Sequence, residues 1–429
     1  MNPRYGKSTE FLKRACKTIP LGSQTFSKSK VQVPEGAAPF FLERGQGAQV
    51  WDLDGNEYVD FVNSLLAIFL GYNDPDVNRA VEEQMKKGTI FSLPSPIEAE
   101  VAEMLVDMIP CAEMVRYGKN GSDATSGCIR LARAFTGRDR IAVCGYHGWQ
   151  DWYIGTTARN RGVPEATRKL THTFTYNNIE SLQQVFKQNP NEFAAVIMEP
   201  MNVAEPEKNF LGEVKDLAHK NGALFILDEV ITGFRFAKGG AQEYFGVTPD
   251  LAAFGKGMGN GYPISAVVGR ANIMHLMEEI FFSTTLGGET LSLAASKAVI
   301  QKINREPVVE HIHKIGKQII SGAGELVKKY GLENHIELKG HPAWSFMAMK
   351  DFDGISMWEV RTLFLQEMFK NGIVSNGGHN ISYAHKEEHL TKLMDAYNKT
   401  LPVIAQAIKE RNFKKYLECE VLQPLYRVR

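Results

Sequence analysis

Between about residues 115 and 270, short apolar runs alternate with helical patterns. Four of these runs have the length of a strand and are rich in β-branched residues: RIAVCGY, AAVIMEP, ALFILDEV and ISAVVG. Strands that alternate with helices predict a mostly parallel α/β sheet that is covered on both faces. Because ligands of such sheets bind at the carboxyl ends of the strands, we expect functional residues where these runs end.

The segments before and after this region have different sequence patterns. GAQVWDLDGNEYVDFV predicts a β-hairpin that turns at Asp54-Gly55-Asn56. After Glu306, amphipathic helical patterns alternate with the strand-like pieces SFMAMKDF and NISYAH, and a long helical pattern follows that Pro402 interrupts. We therefore expect an N-terminal arm with a hairpin over 1–65, a large domain over 66–306 and a smaller α+β domain over 307–429.

Composition excludes several classes of partner. The chain has 49 Lys plus Arg and 49 Asp plus Glu, so no bulk charge favours nucleic acid or an anionic membrane. The N-terminus is charged, and no apolar run approaches the roughly 20 residues of a membrane helix. The five cysteines are scattered and lack CxxC spacing, which argues against disulfides and a metal site and predicts a cytoplasmic protein.

Two strand ends carry residues that could act together. The apolar strand at the start of FILDEVITGFR ends in Asp228 and Glu229, which alternation directs to opposite faces. Further on, Lys256 stands between two glycines. A desolvated lysine can form a Schiff base with an aldehyde while a carboxylate keeps a ring nitrogen protonated. Taken singly, an acid such as Asp228 is more often a helix cap or an ion-pair partner, and a lysine such as Lys256 more often a turn residue that reaches solvent.

Two further stretches offer an anion site and an aromatic site. Gly121 and Ser122 precede a helical pattern, so their backbone amides and the hydroxyl could bind an anion, although an ordinary serine N-cap has the same structure. CGYHGWQDW follows the strand RIAV and brings Tyr146, His147 and Trp149 to its end. An aromatic ring there could stack on a planar cofactor or simply pack within the loop.

In their order and spacing, these stretches resemble the class III, pyridoxal-phosphate-dependent aminotransferases, and among them the glutamate-1-semialdehyde aminomutases. The likeness covers about the first 300 residues well and the last hundred loosely. The segments that carry it are FLKRACKTIP, FFLERGQGAQVWDLDGNEYVDFV, NGSDATSG, YHG, LDEVITGFR, GGAQEYFGVTPDL, FGKGMGNGYP and STTLGGETLSLAA.

The resemblance implies the fold and the cofactor. The expected fold is the α/β, fold type I architecture, with a mostly parallel seven-stranded sheet in the large domain and a smaller α+β domain. The expected cofactor is pyridoxal 5'-phosphate. By position, Lys256 resembles the lysine that forms the Schiff base, and Asp228 the partner of the pyridinium nitrogen. Val230 would lie against one face of the ring and Tyr146 would stack on the other.

The resemblance also implies a phosphate site and an assembly. Gly121 and Ser122 would hold the phosphate through amides and a hydroxyl. Thr285 resembles the threonine that reaches the phosphate of the neighbouring subunit, which implies a homodimer with shared active sites. Glu199 matches a motif acid without a defined role. No metal is expected.

The departures from the aminomutases all concern the substrate. Lys28 stands where those enzymes have an arginine that holds the substrate carboxylate, and Leu65 replaces a pocket tryptophan. A conserved glutamate falls at or near Gly377, with His379 and Asn380 close by. A polar pocket built from Lys28, His379 and Asn380 could suit a hydroxylated or phosphorylated carbonyl compound, but these residues could equally be ordinary loop and interface contacts.

Three functions remain open at this point. The favoured one is an aminotransferase that moves an amino group from an amino acid donor such as glutamate to a small, sugar-like or phosphorylated carbonyl acceptor. The second is intramolecular amino transfer by an aminomutase, which needs no separate donor. The third is a non-catalytic binding protein on the same fold, against which the presence of both Lys256 and Asp228 argues.

Overall fold

The computed structural model of the protein describes residues 3–423. The chain divides into two compact units, of which the first holds residues 3–65, 70–74 and 310–423, and the second holds residues 66–69 and 75–309. Apart from residues 307–309, the segments assigned from sequence to an N-terminal arm and a C-terminal domain thus fall within one unit. Residues 1–2 of the arm and 424–429 of the C-terminal domain lie outside the described residues. Within 3–423, no helix is both long and apolar enough to span a bilayer.

The strands of the described chain are numbered in chain order. They are β1 (Leu42–Gln46), β2 (Gln49–Asp52), β3 (Glu57–Asp60), β4 (Met114–Gly118), β5 (Arg140–Cys144), β6 (Thr171–Thr173), β7 (Phe193–Met198), β8 (Leu224–Asp228), β9 (Leu251–Phe254), β10 (Ser265–Gly269), β11 (Ile336–His341), β12 (Trp344–Met349), β13 (Ile373–Val374) and β14 (Gly378–His379).

The helices are numbered in the same way. They are α1 (Gly6–Ala15), α2 (Asn63–Leu66), α3 (Pro75–Met85), α4 (Pro96–Met108), α5 (Gly121–Thr136), α6 (Asp151–Ile154), α7 (Glu165–Arg168), α8 (Ile179–Gln188), α9 (Phe210–Lys220), α10 (Ala241–Phe245), α11 (Ala271–Met274), α12 (Thr290–Arg305), α13 (Val308–Lys329), α14 (Met357–Lys370) and α15 (Glu387–Glu410). Short 3-10 helices lie at Pro3–Tyr5, Pro20–Gly22, Phe26–Lys28, Lys256–Gly259, His275–Glu278 and Phe413–Lys415.

The second unit is built on a seven-stranded sheet with the order β4-β10-β9-β8-β7-β5-β6. The pairs β5/β6, β5/β7, β7/β8 and β8/β9 are parallel, whereas β10 runs antiparallel to both β9 and β4. The prediction of a mostly parallel seven-stranded sheet is confirmed.

Strand β7 explains why this sheet could be predicted from apolar runs. All of its residues are buried, and alternate residues enter two different cores. Ala195 and Ile197 pack in the core that contains residues of α5, while Val196 and Met198 pack in the core that contains residues of α9. A strand covered on both faces by helices must be apolar throughout, which gives a continuous run instead of an alternating one.

The first unit contains two smaller sheets, with the orders β1-β2-β3-β13 and β11-β12-β14. The predicted hairpin is confirmed, because β2 and β3 pair antiparallel around residues 53–56. Asp52 holds the turn, since its Oδ1 accepts from the amides of Asp54 at 3.0 Å and Asn56 at 2.8 Å. A carboxylate that satisfies turn amides is the mechanism by which aspartate favours turns.

Two local predictions in the first unit are wrong. Helix α15 continues through Pro402. Because proline has no amide hydrogen, the carbonyl of Asn398 lacks its helical donor, and the side-chain hydroxyl of Tyr330 donates to that carbonyl instead. The segment NISYAH, residues 380–385, does not form a strand; β14 ends just before it, at His379. Instead, Ser382 and His385 form a turn, in which the amide of Ser382 donates to Nδ1 of His385.

Candidate active site

Asp228 ends β8 as a buried carboxylate with two fixed hydrogen bonds. Its Oδ2 lies 2.8 Å from Nδ1 of His147, and its Oδ1 accepts from the amide of Val230 at 3.1 Å. Because a carboxylate oxygen accepts, Nδ1 of His147 carries the shared proton. His147 is itself buried and packs in parallel with Trp152, at an angle of 16° between the rings. The carboxylate is therefore held in one orientation.

Lys256 follows β9, the strand next to β8 in the sheet. Asp228 pairs with Ala253 in the parallel register of these strands, so both residues come from the carboxyl ends of adjacent strands. Lys256 has a φ of +43°, a left-handed conformation that costs a residue with a side chain about 1 kcal/mol or more. Among the described residues, its Nζ makes no hydrogen bond or ion pair. The structure thus presents an unengaged amine.

The surroundings of Lys256 also change its protonation. Burial lowers the pKa of the Lys256 amine, while the carboxylates of Glu199 and Asp228 oppose that shift and Arg235 adds to it. Desolvation disfavours the charged ammonium, which raises the fraction of neutral amine at a given pH. Lys256 therefore has the properties of a nucleophilic amine.

Glu199 directly follows β7 and is also buried. Its Oε2 accepts from the amide of Tyr146 at 3.0 Å and from Nδ2 of Asn202 at 2.8 Å. Burial, and then repulsion by Asp228, raise the pKa of Glu199 to about 7. Gly145 makes this contact possible, because a Cβ at its φ of +108° would lie 2.5 Å from Oε2. Glu199 thus fixes the backbone at Tyr146.

The start of α5 has backbone amides of the kind that can bind an anion. Asn120 caps the helix by accepting from the amide of Asp123 at 3.1 Å, so the first two amides, of Gly121 and Ser122, remain at the helix end. The hydroxyl of Ser122 accepts from the amide of Trp149 at 3.2 Å. Helix α5 has 16 residues, and its dipole adds partial positive charge at this end.

Val230 lies next to both the start of α5 and the residue before Lys256. A Cβ placed on Gly121 would lie 2.7 Å from Cγ1 of Val230, and one placed on Gly255 would lie 3.5 Å from the same atom. The structure therefore brings together the start of α5, the residue after β8 and the residue before Lys256. The missing side chain at Gly121 lets the start of α5 pack directly against Val230. These residues fit a ring that carries an aldehyde and a phosphate.

Tyr146 and Thr285 are exposed in the single chain. Tyr146 makes an edge contact with Tyr153, at 5.6 Å between ring centroids. Thr285 lies in the turn before α12, where Phe281 and Leu286 are exposed as well. The side chains of Tyr146 and Thr285 are thus exposed enough to contact another group.

The predicted substrate residues lie in the first unit and differ in what they can still bind. Lys28 donates from Nζ to Oγ of Ser64 at 2.8 Å, and burial of the ammonium lowers the pKa of Lys28, opposed by Asp60. Ser64 lies in α2, where it and Leu65 have left-handed φ values of +49° and +60°. The amine of Lys28 is therefore positioned by a strained turn.

His379 and Asn380 are instead engaged in the interior of the first unit. Nδ1 of His379 lies 2.8 Å from Oγ of Ser345 and its Nε2 lies 2.6 Å from the hydroxyl of Tyr397. Burial lowers the pKa of His379 to about 4. Nδ2 of Asn380 donates to the carbonyl of Val62 at 2.8 Å. Both ring nitrogens of His379 already have partners, which favours the ordinary structural interpretation of these two residues.

His147 is the functional residue that the sequence did not identify as such. The sequence placed it only in an aromatic loop, whereas the structure shows that it holds Asp228 across 81 residues of chain. The only local signal was its place at the end of β5, where ligands of parallel sheets bind. The described chain contains no group of three or more His, Cys, Asp or Glu that could hold a metal ion.

The comparisons with known proteins agree with this geometry. The profile named Aminotransferase class-III matches residues 31–396. A 3-aminobutyryl-CoA aminotransferase of Cloacimonas acidaminovorans (strain Evry) is 31% identical over 415 residues, covering 94% of this chain and 99% of the relative. A glutamate-1-semialdehyde 2,1-aminomutase of Alkaliphilus oremlandii (strain OhILAs) is 37% identical over 361 residues, covering 77% and 84%.

A solved structure shows the same architecture. It is the FumI protein of Sphingopyxis sp. MTA144 in its PLP internal aldimine form, which superposes with a TM-score of 0.89 at 26% identity and covers 97% of this chain and 99% of that one.

Proposed function

This chain belongs to the class III aminotransferases, and we propose that it moves an amino group from an amino acid donor such as glutamate to a small carbonyl acceptor. The observation that carries the proposal is the pair of adjacent strand ends. One ends in a buried carboxylate oriented by His147, and the other leads to a lysine whose amine has no partner among the described residues.

The cofactor is pyridoxal 5'-phosphate. When bound, it supplies an aldehyde that bonds to amines and a ring that accepts electrons from the substrate carbon. We assign its phosphate to the amides of Gly121 and Ser122, with Thr285 of the partner subunit, and its ring to the space between Val230 and Tyr146. Asp228 would keep a proton on the ring nitrogen, and His147 would keep Asp228 in place.

Lys256 has two tasks in this proposal. Its neutral amine holds the cofactor between turnovers, and the same amine, once displaced by the substrate, moves a proton away from the substrate carbon as a general base. Burial lowers the pKa of Lys256, which supports both tasks because each requires the unprotonated form. Donor and acceptor would react in turn, with the carbonyl product of the donor leaving before the acceptor binds.

Lys28 supports an external donor and a polar acceptor. In the aminomutases that the chain resembles, an arginine stands at this position, and a guanidinium binds a carboxylate through two parallel hydrogen bonds. Lys28 provides a point charge that can serve a hydroxylated or phosphorylated carbonyl compound. We therefore favour a sugar-like or phosphorylated acceptor over glutamate-1-semialdehyde. The aminomutase remains the alternative because several relatives carry that name.

We also propose that the enzyme is a cytoplasmic homodimer. The turn that contains Thr285 exposes Phe281, which is 80% accessible, and the segment before α4 exposes Leu93, which is 79% accessible. Large apolar side chains that are this exposed could be covered by a partner. A second copy of this chain would cover them.

The central test uses the purified enzyme with pyridoxal 5'-phosphate. Borohydride should attach the cofactor to the peptide that contains Lys256, and Lys256→Ala should bind the cofactor without this attachment. Glutamate alone should convert the cofactor of the wild type to its amine form, seen as a change of the absorption spectrum. Attachment to another peptide would contradict the role of Lys256.

A second measurement separates the two functions. Glutamate-1-semialdehyde is supplied without any donor, and formation of 5-aminolevulinate is followed. The aminotransferase proposal expects slow or no conversion, whereas efficient conversion would establish the aminomutase. Absence of both reactions, with the cofactor bound, would favour the non-catalytic alternative.

A further inference from the structure

The loop that follows β5 is fixed to the rest of the second unit by side chains. Thr125 donates from Oγ1 to the carbonyl of His147 at 2.8 Å, and the hydroxyl of Ser122 accepts from the amide of Trp149 at 3.2 Å. The ring of Tyr146, in the same loop, is nevertheless 46% exposed. An exposed aromatic ring on a fixed backbone suits the stacking of a ligand, because little conformational freedom is lost on binding.

The peptide group between Gly145 and Tyr146 is held at both of its polar atoms. Its carbonyl oxygen, on Gly145, accepts from the hydroxyl of Tyr153 at 2.8 Å. Its amide, on Tyr146, donates to Oε2 of Glu199 at 3.0 Å. Hydrogen bonds on opposite edges of one planar group oppose its rotation. Tyr153 and Glu199 thus form a clamp that sets the direction in which the chain enters Tyr146.

Both side chains of the clamp are themselves fixed. Tyr153, on α6, is fully buried, and its ring makes edge contacts with the rings of Tyr146 and His147, at 5.6 and 5.2 Å between centroids. Oε2 of Glu199 also accepts from Nδ2 of Asn202 at 2.8 Å. Burial raises the pKa of Glu199 to about 7, so its carboxyl is partly protonated near neutral pH. Since Oε2 already accepts twice, the proton belongs on Oε1, and the bond to Tyr146 persists in both forms.

We propose that Tyr153 and Glu199 are positioning residues, which hold the ring of Tyr146 where it stacks on the cofactor. This inference rests on the role of Tyr146 in the function proposed above. In it, both residues act through Tyr146 and not by contact with the cofactor. Dispersion attraction between stacked rings falls steeply with their separation, so a peptide group free to rotate would weaken cofactor binding. The clamp gives a task to Tyr153, which the sequence did not indicate, and to Glu199, whose role it left open.

The first test measures the dissociation constant of pyridoxal 5'-phosphate. Tyr153→Phe removes only the hydroxyl that holds Gly145, and it should raise this constant about fivefold, the usual effect of losing one hydrogen bond. The matched control is Tyr117→Phe, since the hydroxyl of Tyr117 donates in the same way to the carbonyl of Glu98, at 2.9 Å, outside this loop. Tyr117→Phe should bind the cofactor like the wild type.

A background without the ring separates positioning from a general structural role. If Tyr153 acts through Tyr146, Tyr153→Phe should cause no further loss of cofactor affinity in a Tyr146→Ala protein. A general loss of structure would lower the affinity equally in both backgrounds. An equal loss in both, or no loss in the protein that keeps the ring, would overturn the inference.

Hydrogen exchange of the Tyr146 amide tests Glu199 in the full-length, cofactor-free protein, by mass spectrometry of fragments that isolate this amide. Glu199→Ala should accelerate exchange about tenfold or more, whereas Glu199→Gln, which keeps an acceptor oxygen, should stay near the wild type. Glu229→Gln, at the end of the neighbouring strand, is the control and should change nothing. If Tyr146→Ala leaves cofactor binding unchanged, the stacking role in the proposed function fails. Unchanged exchange in Glu199→Ala, with a normal effect of Tyr146→Ala, overturns only the clamp.

Discussion

Asp228→Asn should lower turnover at least a hundredfold while the protein still folds. The substitution keeps the size of the side chain and removes the negative charge that, in the proposed mechanism, keeps a proton on the ring nitrogen of the cofactor. A hundredfold loss corresponds to about 2.7 kcal/mol in the activation barrier. That magnitude is at the lower end of what removing one preorganised electrostatic partner costs in buried active sites.

The structure limits how much stability this substitution removes. The carboxylate accepts one hydrogen bond at each oxygen, from His147 at 2.8 Å and from the amide of Val230 at 3.1 Å. Asparagine has one oxygen, so its amino group must face one of these two donors. One unsatisfied buried donor costs about 1–3 kcal/mol, which is less than the roughly 5–15 kcal/mol that stabilises a typical protein.

The assay is a single turnover on mixing the holoenzyme with glutamate, followed by the absorbance of the cofactor. Thermal unfolding of the cofactor-free variant gives the change in stability. A cofactor analogue that is methylated at the ring nitrogen carries the positive charge permanently, so it should restore part of the lost turnover. A loss smaller than about tenfold, or ~1.4 kcal/mol, would refute the proposed role of Asp228.

Three further predictions concern neighbouring residues. Glu229→Gln should lower the free energy of unfolding by about 2–4 kcal/mol, because the carboxylate accepts from Thr232 and from the amides of Ala241 and Gln242. The turnover per folded molecule should stay near wild type. Denaturant unfolding measures the first effect, and turnover normalised by active-site titration measures the second. For Glu199, burial raises the pKa in the folded state to about 7 from 4.5, so the folded protein binds the extra proton between these pH values. The cofactor-free protein should therefore lose about 3 kcal/mol of stability as the pH rises from 4.5 to 7, and Glu199→Gln should abolish this decline. Thr285→Ala should weaken retention of the cofactor without lowering the melting temperature of the cofactor-free protein, and gel filtration of the wild type should show a dimer; a fully active monomer would contradict the shared site.

The parts of the sheet that could be predicted from the sequence are buried interior strands, although the short buried strand β9 was not among the predicted runs. Strands β5, β7 and β8 are covered on both faces and appear as apolar runs. The edge strands β4 and β6 were missed, because MVRYG and THT are only partly buried and lack such a run. The antiparallel direction of β10 was not predictable either, since strand direction depends on the connection and leaves no mark on the residues of the strand.

The candidate site also has parts that could be predicted from the sequence and parts that could not. Lys256 and Asp228 were identified because they follow apolar strands, a local signal. The pairing of His147 with Asp228 joins residues that are far apart in the chain, so no local pattern reveals it. Likewise, a polar pocket that includes His379 was one of two interpretations drawn from the departures from the aminomutases, but only the fold shows that Ser345 and Tyr397 already engage both ring nitrogens.

Three carboxylates that look alike in the sequence illustrate how the fold distinguishes them. Glu199, Asp228 and Glu229 all follow apolar strands and all are buried. Glu229 accepts from three donors and joins the end of β8 to the start of α10, which is a structural task. Burial, with repulsion by the nearby carboxylate of Asp228 as a second cause, raises the pKa of Glu199 to about 7. Glu199 is thus the carboxylate that takes up a proton near neutral pH, whereas Asp228 is the one whose Oδ2 faces Nδ1 of His147 at 2.8 Å.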